Sequence, residues 1–127
     1  MFVGLNPSTA DESRDDPTVR RCIQFAKSWN FSRLILVNLF AYRATHPEVL
    51  LKVSDPIGTE NDSWIDAYVA VADLCVVAWG TRGSNLGRDT VVLTRLKNPM
   101  CFGRTLSGSP KHPLYLPGRS RLHPFLA

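Results

Sequence analysis

Four short stretches hold the residues that could do chemistry. The first is Asn6-Pro7-Ser8-Thr9, with Asp11 close behind. An asparagine before proline is pushed towards extended backbone. Its amide offers donors and an acceptor, enough to orient a water or bind a base edge. The same amide could instead close an Asx-type turn that ends a strand. Ser8 and Thr9 could hold a phosphate by hydroxyl and backbone N–H, or satisfy only the turn. Asp11 is the nearest carboxylate, a candidate general base if partly desolvated, or else a local cap. The second stretch carries Asn38, an amide inside an apolar run, and Arg43. A buried amide needs partners, which at a strand end can include a ligand. The arginine is a natural clamp for phosphate or carboxylate, or simply a solvated side chain. Third, Trp79-Gly80 could give a stacking plane and a close backbone approach for a base; a core tryptophan at a strand end is the plainer alternative. Fourth comes Lys111-His112-Pro113, whose imidazole could donate to a carbonyl or a leaving group, or make a structural bond to backbone. Asn6, Asp11 and His112 are thus the catalytic candidates. Ser8, Thr9, Asn38, Arg43, Gly80 and Lys111 are the substrate-binding ones.

These stretches matter because of what precedes them. Residues 2–5 form a short apolar run closed by Asn-Pro, the pattern of a buried strand and its turn. Residues 33–40, "RLILVNLF", are the strongest strand, apolar on both faces as in a parallel sheet covered by helices. Residues 74–79, "LCVVAW", make a third strand and residues 100–102 a brief fourth. Helices are expected between them. Asp16-Pro17 starts one, since Asp caps free N–H groups and Pro fits the first helical position. Asp15 and Asp16 are therefore explained by the helix start. Val19, Cys22, Ile23 and Ala26 give that helix an apolar stripe. Thr45-His46-Pro47-Glu48 has the form of a capping box before a short helix. Thr59-Glu60-Asn61-Asp62 precedes a longer one with Ile65, Tyr68, Val69 and Ala72 inward. A last helix is expected over residues 88–96, followed by an irregular basic tail from about 104.

The order β-α-β-α-β-α-β argues a three-layer α/β/α sandwich with a short, mainly parallel, four-stranded sheet. One such domain fits a chain of 127 residues. Sheets of this kind bind ligands at the carboxyl ends of their strands, near the switch in strand order. All four candidate stretches fall there.

Composition narrows the class. An apolar fraction of 44% with 20% charged residues is that of a soluble globular protein. No apolar run is long enough to span a bilayer, and the N-terminus lacks the pattern of a signal peptide. Three widely spaced cysteines, Cys22, Cys75 and Cys101, suit no closed disulfide set and point to a reducing cytoplasm. Neither they nor His46, His112 and His123 have zinc spacing. There is no P-loop, G-x-G-x-x-G or G-x-S-x-G, so no cofactor is expected. After Asp89 the chain holds six basic residues and no acidic one. A basic C-terminal third suggests contact with a polyanion, or only a solubilising tail.

In chain order, "LNPSTAD", "DDPTVRRC", "NLFAYRAT", "PIGTEND", "AWG" and "KHPLYL" resemble the bacterial and phage family catalogued as domain of unknown function 1643. The six motifs cover nearly the whole chain, and the family name implies no activity. Members usually carry a further segment before the first strand, so an edge element is expected to be absent or truncated. A weaker resemblance links Gly4-Leu5-Asn6-Pro7 to the Gly-Ile-Asn-Pro motif of mismatch-type uracil-DNA glycosylases, enzymes with a three-layer α/β/α fold. That resemblance implies that Asn6 orients a water and that the late His112-Pro113 reaches the substrate. Ser8 and Leu114-Tyr115 depart from that pattern.

Three functions follow. One is glycosylase-like hydrolysis of an N-glycosidic bond in a nucleotide or nucleic acid. Another is a non-catalytic module that binds a nucleotide or other anion. The third is a structural or protein-interaction scaffold, consistent with the lack of a strong catalytic motif. Oligomeric state is left open.

Overall fold

The structure is a computed structural model that describes residues 1–8 and 16–126. Thr9, Asp11 and Asp15 lie outside the described residues. The elements run β1 (Phe2–Gly4), α1 (Pro17–Ser28), β2 (Leu36–Asn38), α2 (Asn61–Val69), β3 (Val76–Val77), α3 (Arg88–Leu93), β4 (Met100–Cys101) and β5 (His123–Pro124). Two 3₁₀ segments, Pro47–Leu51 and Thr81–Gly87, precede α2 and α3.

The sheet order is β2-β1-β3-β4-β5. The first four strands are parallel, and β5 closes the sheet antiparallel to β4. The sheet therefore has five strands, not four. The tail is less irregular than its Pro and Gly content implies. Pro124 stands opposite Met100, and Phe125 N–H donates to Pro99 O at 2.8 Å. The Arg104 guanidinium lies 4.0 Å from the centre of the Phe125 ring, fastening the start of the tail to its end.

Alternation along the strands makes the three layers. Phe2, Val76, Ala78 and Phe102 meet Cys22 and Phe25 of α1 on one face. Val3, Val37, Val77 and Cys101 meet Ile65 of α2 and Val92 of α3 on the other. The fold is thus α/β, as expected. Two expectations shift in detail. In α1 the buried residues are Cys22, Phe25 and Ala26, while Ile23 is left exposed. Strand β2 lies at the sheet edge, so Leu36 on its α1 side is exposed rather than covered. Its pairing still outruns its labelled length: Leu39 N–H donates to Gly4 O and Phe40 N–H to Leu5 O, both at 2.9 Å.

Candidate functional site

A cleft of about 1060 Å³ opens at the carboxyl ends of β1, β2 and β3, against the first turns of α1. It sits where the chain leaves β1 towards one edge and β3 towards the other, the switch point of the sheet. Of the sequence candidates, Asn6, Ser8, Asn38, Arg43 and His112 line it. Gly80 and Lys111 do not.

Asn6 is fixed by two carbonyls. Its Nδ2 donates to Pro7 O at 3.0 Å and to Ala44 O at 2.9 Å, joining the β1 loop to the loop after β2. Both partners are acceptors only, so the amide orientation is set by chemistry. Both N–H bonds are spent, and Oδ1 accepts no hydrogen bond among the described residues. Asn6 therefore offers the cleft an acceptor, not a donor.

Asn38 has the opposite condition. Its side chain makes no hydrogen bond among the described residues, so both amide functions remain for a ligand. Its Oδ1 would lie 2.8 Å from a Cβ built on Gly4, so β1 needs glycine at that point to let the amide lie flat on the sheet. The backbone of Asn38 is anchored from behind. Asn61 Nδ2 donates to Asn38 O at 3.0 Å and to Leu39 O at 3.1 Å. Arg88, only 2% exposed, adds Nε to Leu39 O at 2.7 Å and pairs with Asp62 at 2.5 Å. That ion pair holds the Asp62 carboxyl below its ordinary pKa, through the Arg88 hydrogen bond first and despite partial burial.

His112 reaches the rim because its segment is docked at both sides. Gly80 N–H donates to Pro110 O at 3.0 Å, and Lys111 N–H donates to Gly103 O at 2.9 Å. Gly80 has φ +75° and ψ −162°, a conformation that favours glycine. Pro110 and Pro113 are fully buried and act as anchors. Gly80 and Lys111 thus position the imidazole, and the Lys111 stem runs along Gly103. His112 Nδ1 accepts from Leu114 N–H at 3.2 Å, which leaves the proton on Nε2. Surrounding protein lowers the His112 pKa although the ring keeps exposed surface, with Asp16 pulling the other way. At neutral pH the residue is an uncharged Nε2–H donor.

Ser8 and Arg43 are engaged with each other's neighbourhood. Arg43 Nη1 donates to Ser8 O at 3.0 Å, and Ser8 Oγ donates to Asp16 Oδ2 at 3.0 Å. Asp16 also caps α1, as its place in the sequence implies, through Oδ1 to the N–H groups of Thr18 and Val19. Thr18 and Arg20 line the cleft too and were missed. The available signal was positional: a helix that starts just after a candidate loop puts its first turn on the same rim. Trp79 forms part of the floor but is 2% exposed and packs edge-on to Phe125, so it belongs to the core. Cys22, at the base of the cleft, has its thiol pushed up to about 12 by burial and is no nucleophile. Among the described residues no group of three His, Cys, Asp or Glu could hold a metal ion. No helix among them is long and apolar enough to cross a membrane.

Fold and cleft define an open α/β protein whose polar side chains gather at the switch point of its sheet. No curated protein and no solved structure matches the chain. Residues 1–114 match the family described as protein of unknown function (DUF1643), and the chain belongs to that family.

Proposed function

We propose that the protein hydrolyses an N-glycosidic bond, releasing a base from a nucleotide or nucleic acid. One observation carries this reading: the Asn6 amide N–H groups are locked on Pro7 and Ala44, which leaves an oriented Oδ1 acceptor in a cleft shared with the Nε2–H of neutral His112. As the C1′–N bond breaks, its electron pair departs with the base and positive charge builds on the sugar. Asn6 Oδ1 accepts a hydrogen bond from the attacking water and aims it at C1′. The water's surplus proton passes to solvent or to the leaving base. His112 donates to an oxygen of the base as negative charge grows there. Asn38 presents donor and acceptor to the base edge, and Arg43 holds phosphate at the mouth. A base in a duplex would first leave the stack.

The test is release of free base from nucleotides and from oligonucleotides carrying modified bases. Asn6→Ala should lower the rate about 100-fold or more on a substrate that wild type cleaves. No release from any substrate, or equal release by both proteins, refutes the reading.

A second reading, binding without chemistry, is favoured by Asp16. It is the one carboxylate lining the cleft among the described residues, and capping and Ser8 consume both its oxygens. In that case nucleotides raise the melting temperature through binding to the folded state, and no bond is cleaved.

A further inference from the structure

The N-terminus of α1 faces the cleft. At such a place the first N–H groups and the positive end of the helix dipole can receive an anion. Here the chain has supplied its own. Asp16 Oδ1 accepts from Thr18 N–H at 2.9 Å and Val19 N–H at 3.2 Å, and Oδ2 accepts from Ser8 Oγ at 3.0 Å. Asp16, Thr18, Val19 and Ser8 all line the cleft, so this occupied site belongs to its wall. A ligand phosphate brought there would meet a negative charge and donors already in use. Among the described residues the basic side chains that line the cleft are elsewhere. Arg20 and Arg43 are both exposed, at the cleft mouth. Between mouth and floor the polar side chains of Asn6, Asn38 and His112 are uncharged.

We propose that Asp16 is a specificity-determining residue: it closes the α1 N-terminus to anions, so the cleft takes an uncharged polar heterocycle inside and leaves any phosphate at the Arg43 mouth. The heterocycle rests on the base-binding reading above. The exclusion of anions rests on Asp16 alone. It separates this cleft from one that grips a phosphate or pyrophosphate on the helix end, and it favours nucleosides within a polymer, or a nucleoside's base, over a free phosphate group as the recognised part.

Inorganic phosphate is the probe. Asp16→Asn keeps a good N-cap and removes the charge; Asp16→Ser keeps a cap and also shortens it, freeing space at the helix end. Calorimetric titration should show roughly tenfold or more tighter phosphate binding by Asp16→Ser than by wild type, with Asp16→Asn between. Equal affinity in all three proteins overturns the proposal. A measurement on wild type alone guards against a variant that fails to fold. In amide NMR spectra, phosphate should leave the Thr18 and Val19 signals in place; saturable shifts of those two signals overturn the proposal. Base release plays no part in these readouts. A phosphate gain in Asp16→Ser with no base release from any substrate keeps the anion filter and removes the hydrolase. Base release together with phosphate bound at Thr18 and Val19 does the reverse.

Discussion

Removing the Asp62 carboxylate should destabilise the protein much more than removing the Arg88 guanidinium that it pairs with. The two partners sit in different surroundings. The Arg88 side chain is 3% exposed, whereas that of Asp62 is 33% exposed and also lies 3.3 Å from Arg95. In Arg88→Met, the carboxylate keeps Arg95 and gains water, and Leu39 O keeps its bond from Asn61. Both Arg88 hydrogen bonds are lost, but each acceptor keeps another partner, so the expected cost is about 1.5–3 kcal/mol. In Asp62→Asn, a buried guanidinium loses its counter-charge and keeps Leu39 O as a partner. Breaking a buried pair on that side costs about 3–5 kcal/mol. For a chain of this size the melting temperature should fall by roughly 4 °C per kcal/mol. The double variant Asp62→Leu with Arg88→Met should recover most of the loss, because no buried charge remains. Urea unfolding with an unchanged slope is the assay. Equal destabilisation by the two single variants, or a double variant no better than Asp62→Asn, refutes the reasoning. The same pair sets an acid dependence. The folded carboxyl titrates below its ordinary value, so its stabilisation is full above that value and is lost as pH falls through the lowered one. Asp62→Asn should flatten that part of the stability curve.

Gly4→Ala should leave stability within about 1 kcal/mol of wild type, since the gain in strand entropy offsets a displaced rotamer. It should push the Asn38 amide out of place, seen as a shift of its side-chain NH₂ resonances and a loss of ligand-induced stabilisation. Asn6→Asp should destabilise more than Asn6→Ala, because a carboxylate would face the Pro7 and Ala44 carbonyls; acidification, which restores a donor, should narrow the gap in thermal melts. The His112 pKa is lowered, so its stabilising neutral form is present above the ordinary histidine value and is lost as pH falls through the folded value. His112→Asn, which can still accept from Leu114 N–H, should remove that slope from stability measured against pH. Gly83→Ala should cost about 3 kcal/mol or more in urea unfolding, because the added Cβ would fall 2.0 Å from Trp79 Cδ1 inside the core.

Much of the fold was legible because it rests on local rules. The Asp16-Pro17 start of α1 is a cap and a fixed φ, and both occur as read. Strand runs in β1, β2 and β3 were visible because a covered parallel sheet demands continuous apolar residues. Strand β5 was not visible, for a physical reason. It is two residues long, exposed and includes a proline, which an edge strand tolerates and no strand pattern signals. The short helix expected after Thr45 is present as the 3₁₀ segment Pro47–Leu51, but His46 occupies its N-cap and makes no side-chain cap bond. A short 3₁₀ turn, started by Pro47, needs less capping than a full helix.

The site divides along the same line, between what a residue type can offer and what its distant partners leave free. The strand-end rule put Asn6 and Asn38 near the cleft, but residue type allows both the same donors and acceptor. They differ because Ala44 O, 38 residues away, consumes an N–H of Asn6, while Asn61 and Arg88 hold only the backbone behind Asn38. One becomes an oriented acceptor and the other an open amide. Asp16 makes the same point with opposite sign. Its cap was legible from Asp-Pro alone, yet a cap at the start of any helix is ordinary. Under the anion-filter proposal it bears on ligands because β1 delivers Ser8 to its second oxygen and because that helix end lines the cleft. Local spacing carries none of this information. Reading the function of such a cleft therefore means counting, for each polar atom, which partner the fold has already given it.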